Sequence, residues 1–358
     1  LSKKPYTIGI KTAMRTIYCG ILLFLGVYLT QLSSAQERKD FVSDASFIVG
    51  TYRAKTSDHS VKSMAASAKK FVETLTEDQK KKTVGKVNSE VRRQWTNLPA
   101  RRDADGIRLG DLNEVQVKAA CDLMASLLSK QGYDKMVQIM LADDQLLRGG
   151  RPRQGFGTEN FSLVVFGAPS EKEEWGFQID GHHVGLNLSI KGESITMSPS
   201  FIGTQPSAFR IAEKFIKPFE LETDLGHQLV ASLDAKQLQT AIVSDRRGRM
   251  MAGPGMDGKT PKANGVKCST FNEGQRKILR KLISQWVNYL PKAQADKRMK
   301  QLAGEIDQMT FAWSGDKGPI SDMSYVLQGP SLIIEYVCQD LGGNPLDHLH
   351  SVYRDPTN

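Results

Sequence analysis

FSLVVFGAPSEKEEWGFQIDGHHVGLNLSI, residues 161–190, decides the fold. Its three runs FSLVVFG, WGFQID and VGLNLSI are short, rich in β-branched and aromatic residues, and bounded by Gly, Pro and Asp. Such runs read as consecutive strands. The strand-like character continues to residue 204, and the chain closes with three more such runs, MTFAW, SYVLQ and SLIIEYV, before a final LDHLHSVYRDP.

Around these strands the sequence is helical. Residues 40–150 carry Met64, Ala65, Ala68, Phe71, Val72 and Leu75 at helical spacing, the mark of one buried helix face. Thr76 with Gln79 is a capping-box pattern. Val115–Leu128 reads as a further helix ended by Gly132. Residues 207–243 return to helix, with Leu225, Leu229, Leu233 and Leu238 as core candidates. Thr270 and Glu273 form a second capping-box pattern, followed by an amphipathic helix on Ile278, Leu279, Leu282, Ile283 and Trp286 that ends near Pro291. Ala293–Gln308 continues as helix. Five glycines and two prolines make residues 245–267 a mobile surface loop. Its Arg246, Arg247 and Arg249 read as a small anion site or as solvated charge. No internal repeat is legible. The alternation predicts an α+β fold with a mixed or mostly antiparallel sheet and a helical N-terminal part.

The 358 residues allow one large domain or two medium ones and exclude a disulfide miniprotein or a collagen. Ile17–Leu29 is apolar, follows Arg15 and precedes small residues at Ser33 and Ala35. This is a secretory-signal pattern, so residues 1–35 are expected to be a leader, 36–150 a mainly helical part, and 151–358 an α+β part continuous with it. Four basic residues and no acid lie in the leader, so its removal lowers the net charge from +9 to +5. That is mild and calls for no nucleic-acid partner. The expectation is an exported protein, periplasmic or extracellular, free of the membrane once the leader is gone, with a small molecule or peptide as partner. Cys121, Cys268 and Cys338 remain, an odd number with no C-x-x-C spacing. A cysteine zinc site or redox motif is therefore not expected, and at most one disulfide can form.

Four of the six histidines form two tight groups, His182–His183 and His348–His350. In a strand, residues i and i+2 share a face, so His348 and His350 can act together. His182 shares parity with the apolar Val184, Leu186 and Leu188, and His183 with Gly185 and Asn187. That parity makes His183 the ligand and His182 its packed alternate. Glu335 lies in a strand apolar on both faces, where a carboxylate is costly unless paired or bound to a cation. His183, His348, His350 and Glu335 are thus the candidate ligands for zinc, copper or iron. The bland alternative is a set of hydrogen-bonded histidines and a buried Glu335–Arg354 pair.

WGFQIDGHHVGLNLSI, SPSFIGTQP, FAWSGD, SYVLQGPSLIIEY and HLHSVYRDP, in this order, resemble the bacterial and fungal proteins catalogued as domain of unknown function 3500. The likeness extends over roughly residues 50–358. It carries no activity. It implies importance for Gly181, His182, His183, Asn187, Phe311, Trp313, Gly315, Gln328, Gly329, Pro330, Glu335, His348, His350, Arg354 and Asp355. Asn187 and Trp313 are expected to support the ligands. Val326 replaces the family's usual Arg and Asp347 its usual Asn.

Three readings follow. A metal-dependent hydrolase or oxidoreductase would use Asp355 or His182 as proton carrier and Arg354 to orient a carboxylate. A non-catalytic metal- or ligand-binding protein would use the same histidines without turnover. A structural module would use them as a buried network. No H-E-x-x-H, G-x-S-x-G, Walker A or dinucleotide fingerprint is present.

Overall fold

The computed structural model describes residues 52–55, 57–99, 106–148, 155–341 and 343–357. The expected leader, residues 1–35, lies outside them. Helix α1 is Val61–Thr74, α2 Glu77–Thr83, α3 Glu114–Leu127, α4 Lys130–Arg148, α5 Glu220–Ala231, α6 Ala235–Ala241, α7 Glu273–Val287 and α8 Lys292–Glu305. The strands are β1 (Val84–Gly85), β2 (Ile107–Arg108), β3 (Ser162–Phe166), β4 (Trp175–Gly181), β5 (Val184–Lys191), β6 (Ser194–Thr204), β7 (Phe209–Ile211), β8 (Lys214–Ile216), β9 (Ile242–Ser244), β10 (Val266–Lys267), β11 (Thr310–Gly315), β12 (Met323–Gln328), β13 (Ile333–Cys338) and β14 (Leu349–Arg354). Twelve of them form one mixed sheet in the order β1-β3-β4-β5-β6-β14-β13-β12-β11-β10, with β2 also on β3 and β9 also on β11. The fold is α+β. None of the described helices is long and apolar enough to cross a membrane.

The element order occurs twice. Two helices, a short strand parallel to the next long one, a short antiparallel strand, two helices and four antiparallel strands make up α1 to β6, and again α5 to β14. The β7–β8 hairpin joins the halves. They meet where β6 pairs antiparallel with β14, so a pseudo-twofold axis passes through the centre of the sheet. The sequence trace of this duplication is two short matches between four segments: Thr74-Leu75-Thr76 with Gln79 against Ser232-Leu233-Asp234 with Gln237, and Asn113-Glu114 with Gln116 against Asn272-Glu273 with Gln275. Each is a helix start. Thr76, Asn113, Asp234 and Asn272 all cap reciprocally with the Gln three residues on. The capping glutamines then bond each other, Gln116 Nε2 to Gln79 Oε1 at 2.8 Å and Gln275 Nε2 to Gln237 Oε1 at 2.8 Å.

Several expectations change. The second capping box is Asn272 with Gln275, because the Thr270 hydroxyl donates instead to the Lys267 carbonyl. Gly132 lies inside α4, where a Cβ would come within 2.6 Å of the Tyr289 carbonyl oxygen, and so marks a close approach and not a helix end. Residues 209–216, expected as helix, are the β7–β8 hairpin.

One face of the sheet carries the row Trp313, Tyr325, Tyr336, Ser351, Ile202 and Val184. Helices cover it: the Trp286 indole donates to the Ser351 hydroxyl at 2.9 Å, and Gly226 lets α5 approach the Tyr325 ring. The other face carries Gly185, Phe201, Val352 and Glu335 in a row, with His350 and Gly203 paired beside it. Two loops cover this face, one after β1 and one after β9. Trp95 of the first and Ala252 of the second meet on Phe201, Ile333 and Val352. The segment expected to be mobile is therefore pinned at its middle: Ala252 is fully buried, and the Gly248 N–H donates to Ser324 Oγ at 2.8 Å.

Candidate metal centre

His182 and His183 are not strand residues. They are the two-residue turn between β4 and β5, closed by the Gly181–Val184 pair. Strand parity therefore does not apply to them, and both imidazoles leave the same end of the hairpin. Their ring centroids are 3.7 Å apart. His183 takes φ 71°, a left-handed conformation that turns reserve for Gly or Asn. The turn is held by His183 N–H on the Asn97 carbonyl at 3.1 Å and Gly203 N–H on the His183 carbonyl at 2.7 Å. A non-glycine residue in that region costs of order 1–3 kcal/mol and is kept where the surroundings enforce it.

His348 and His350 arrive from the start of β14, two residues apart, as the spacing predicts. Gly203 lies opposite His350. A Cβ on it would come within 2.8 Å of both the His183 and the His350 ring, so glycine leaves the room the imidazoles fill. The result is a three-histidine group, His183, His348 and His350, with ligand atoms within 4.8 Å of one another. His183 Nε2 and His348 Nε2 are 2.8 Å apart. That is a hydrogen-bond distance, and two nitrogens on one tetrahedral zinc ion lie only slightly farther apart, about 3.3 Å.

The protonation of the group follows from its partners. His348 Nδ1 is 2.6 Å from the Leu341 carbonyl, which only accepts, so Nδ1 carries the proton and neutral His348 presents a lone pair at Nε2. His350 Nε2 is buried with no hydrogen-bond partner. Burial, and then the neighbouring imidazoles, hold His183 and His350 well below the ordinary histidine value. Burial also lowers His348, against the opposing pull of the Leu341 carbonyl. Neutral imidazoles are what a metal ion requires. Beside them, His182 Nδ1 lies 2.5 Å from Asp143 Oδ1. Asp143 is 1% exposed, and its Oδ2 accepts the Gly157 N–H at 2.7 Å. Asp143, His182 and His183 form a second group with ligand atoms within 4.8 Å. Asp143 was missed by sequence reading. Its only signal, an acid near the end of a helix, is too common to single out.

The remaining candidates lie elsewhere. Glu335 does not join the histidines: its Oε2 accepts the Met251 and Ala252 N–H groups, each at 2.9 Å. Burial raises its pKa, those two hydrogen bonds and Arg354 oppose the rise, and the cost inferred for it is met by a loop and not by a cation. Arg354 holds the same loop through the Ala252 and Gly253 carbonyls and Asp257. Asp355 pairs with Arg298 at 3.0 Å. Both lie at the far end of β14, roughly 13–16 Å from His350 by strand rise, so neither orients nor protonates anything at the histidines. Asn187 donates to the Pro199 carbonyl at 2.9 Å. Trp313 lies on the helix-covered face, stacked on Tyr325 at 6.2 Å. Neither touches the group. Among the described residues Cys121, Cys268 and Cys338 are buried and form no disulfide.

The model of a family described as "Protein of unknown function (DUF3500)" matches residues 57–358. No curated protein and no solved structure matches the chain.

Proposed function

The chain belongs to the DUF3500 family of proteins of unknown function, and we propose that it is an exported metalloprotein that binds one divalent transition-metal ion through His183, His348 and His350. One observation carries the reading: three neutral imidazoles, His183 and His348 buried and His350 partly so, converge within 4.8 Å, and the buried His350 Nε2 has no hydrogen-bond partner. With Glu335 engaged by a loop, the donor set is three nitrogens and no carboxylate. That favours zinc or copper over the two-histidine-one-carboxylate iron set. Three protein ligands leave a coordination position for water or a small-molecule substrate. A metal there lowers the pKa of bound water and polarises a carbonyl or phosphoryl oxygen, the chemistry of a hydrolase. His182, fixed by Asp143, holds the His183 ring from behind. Leu341 fixes His348. Both contacts orient ligands in the way that tunes metal affinity.

The test is metal analysis of protein purified without chelator, followed by calorimetric titration of the apo-protein with zinc, copper(II) and iron(II). One equivalent is expected, lost in His350→Ala and in His183→Ala. At a hundredfold excess over Kd, the ion should stabilise the fold by about 2.7 kcal/mol. Purified protein without metal, and no thermal shift with any of the three ions, would leave the histidines as a hydrogen-bonded network. The deep burial of His183, 1% exposed, favours a second reading, a closed site without turnover. Absorption spectroscopy of the cobalt form separates the two: a fourth protein ligand supports storage, and an exchangeable water supports catalysis.

A further inference from the structure

A cavity of about 360 Å³ opens on the loop-covered face at the end of the sheet opposite the histidines. Its walls come from both halves: Arg92 and Arg93 from the loop after β1, Asp257 and Lys259 from the loop after β9, and Arg354 and Asp355 from β14 and just beyond. No histidine lines it.

The charges do not cancel. Asp257 is taken by Arg354 at 2.6 Å, and Asp355 by Arg298, which is not part of the wall, at 3.0 Å. Among the described residues, neither Arg92 nor Lys259 makes an ion pair, and Arg93 reaches Glu90 only at 3.8 Å. Arg92 is anchored by the Val87 carbonyl at 3.0 Å and Ser189 Oγ at 2.6 Å, with its guanidinium 5.2 Å over the Phe166 ring. Its position is thus fixed before any ligand arrives. A half-buried guanidinium with donors to spare attracts an oxyanion. The rest of the polar wall is amide and hydroxyl: Asn88, Ser89, Asn187, Ser198 and Thr260. Such groups donate and accept, and so match hydroxyls, which do the same.

We propose that this cavity binds a small hydroxylated organic anion of the sugar-acid class, its carboxylate on Arg92 and Lys259 and its hydroxyls on the amide and hydroxyl wall. The volume suits a ligand of this size. Because the two loops belong to different halves, the ligand clamps them together.

The test is calorimetric titration of the full chain with D-galacturonate, D-galactose, acetate and inorganic phosphate, at low and high salt. Galacturonate is expected to saturate one site, at least about tenfold more tightly than the other three, and to weaken with salt. Lys259 is exposed, so Lys259→Glu leaves the fold intact and should weaken galacturonate about tenfold. Hydrogen exchange should slow together in residues 87–93 and 257–260. His350→Ala should change nothing, which separates this site from the metal reading. No saturable binding of galacturonate overturns the proposal. So does equal binding of galactose, acetate or phosphate, indifference to Lys259→Glu, or loss of binding in His350→Ala.

Discussion

Asp143 in the first half and Glu305 in the second hold the same station. Each is the fourteenth residue of the second long helix of its half. Each accepts a hydrogen bond from the turn between the middle strands of its half: Asp143 from His182 at 2.5 Å, Glu305 from the Ser331 hydroxyl at 2.7 Å. What surrounds them differs. At the first turn three imidazoles converge. At the second, Arg298 bonds Tyr353 at 2.9 Å, Ser331 Oγ at 3.1 Å and Asp355 at 3.0 Å, a closed salt-bridged network. The helix-to-turn tether is thus common scaffold, and what differs is the imidazoles gathered at the first turn, His182 and His183 from the first half with His348 and His350 from the second. A charged pair satisfied within itself asks for no ligand, whereas neutral imidazoles with an orphaned nitrogen do.

Paired substitutions sharpen this contrast. The largest difference is expected between two glycines that are both pressed against rings. Gly203→Ala pushes a methyl into His183 and His350 and should abolish stoichiometric metal binding. Gly226→Ala pushes one into Tyr325 on the far face; it should lower stability by about 1–3 kcal/mol yet keep the metal. Metal content and chemical denaturation on the two variants check this, and metal retained in Gly203→Ala breaks the site geometry. Next in size, Asp143→Asn should weaken metal about 10–100-fold by freeing the His182 ring. Glu305→Gln should leave affinity unchanged and cost about 1 kcal/mol of stability. Equal losses of affinity would show that both tethers serve only the fold.

Acid sensitivity also differs in sign between the two regions. His183 and His350 are held below their ordinary value in the folded chain. As pH falls past about 6.5 the unfolded imidazoles take protons first, so metal-free stability should fall. Glu335 is shifted upward. It binds its proton more readily when folded, so its contribution is greatest below the ordinary carboxylate value and declines as pH rises through the shifted one. Urea titrations from pH 4 to 8 on Glu335→Gln and on His350→Asn should therefore bend in opposite directions. The smallest effect concerns the thiols. Burial pushes Cys121 to about 11 and Cys268 to about 12 and raises Cys338. A thiol reagent at pH 8 should label none of these three in the folded chain and each of them in denaturant.

Strand runs such as FSLVVFG and SLIIEYV were readable because each is short, apolar and bounded by turn residues. The pairing of His348 with His350 was readable because period two survives in β14. The β4–β5 turn was not readable, since a strand-like parity continues through His182–His183 and nothing local says that His183 adopts a left-handed backbone. The duplication escaped because packing faces tolerate substitution, and only the helix starts, where one side-chain oxygen must meet one N–H, kept recognisable residues. Glu335 was correctly marked as costly. Its partners were two backbone N–H groups 83 and 84 residues away, and no side-chain pattern encodes those.

The central β6–β14 pair joins two equivalent halves in one continuous polypeptide. Had the same architecture been assembled from two identical subunits, every imidazole introduced at one end would have appeared at the other, together with its strained turn and its buried nitrogen. Covalent fusion removes that obligation. One end can specialise in coordination chemistry while its counterpart keeps the inert ionic bracing that holds the sheet, and asymmetry of function becomes available to a symmetric frame.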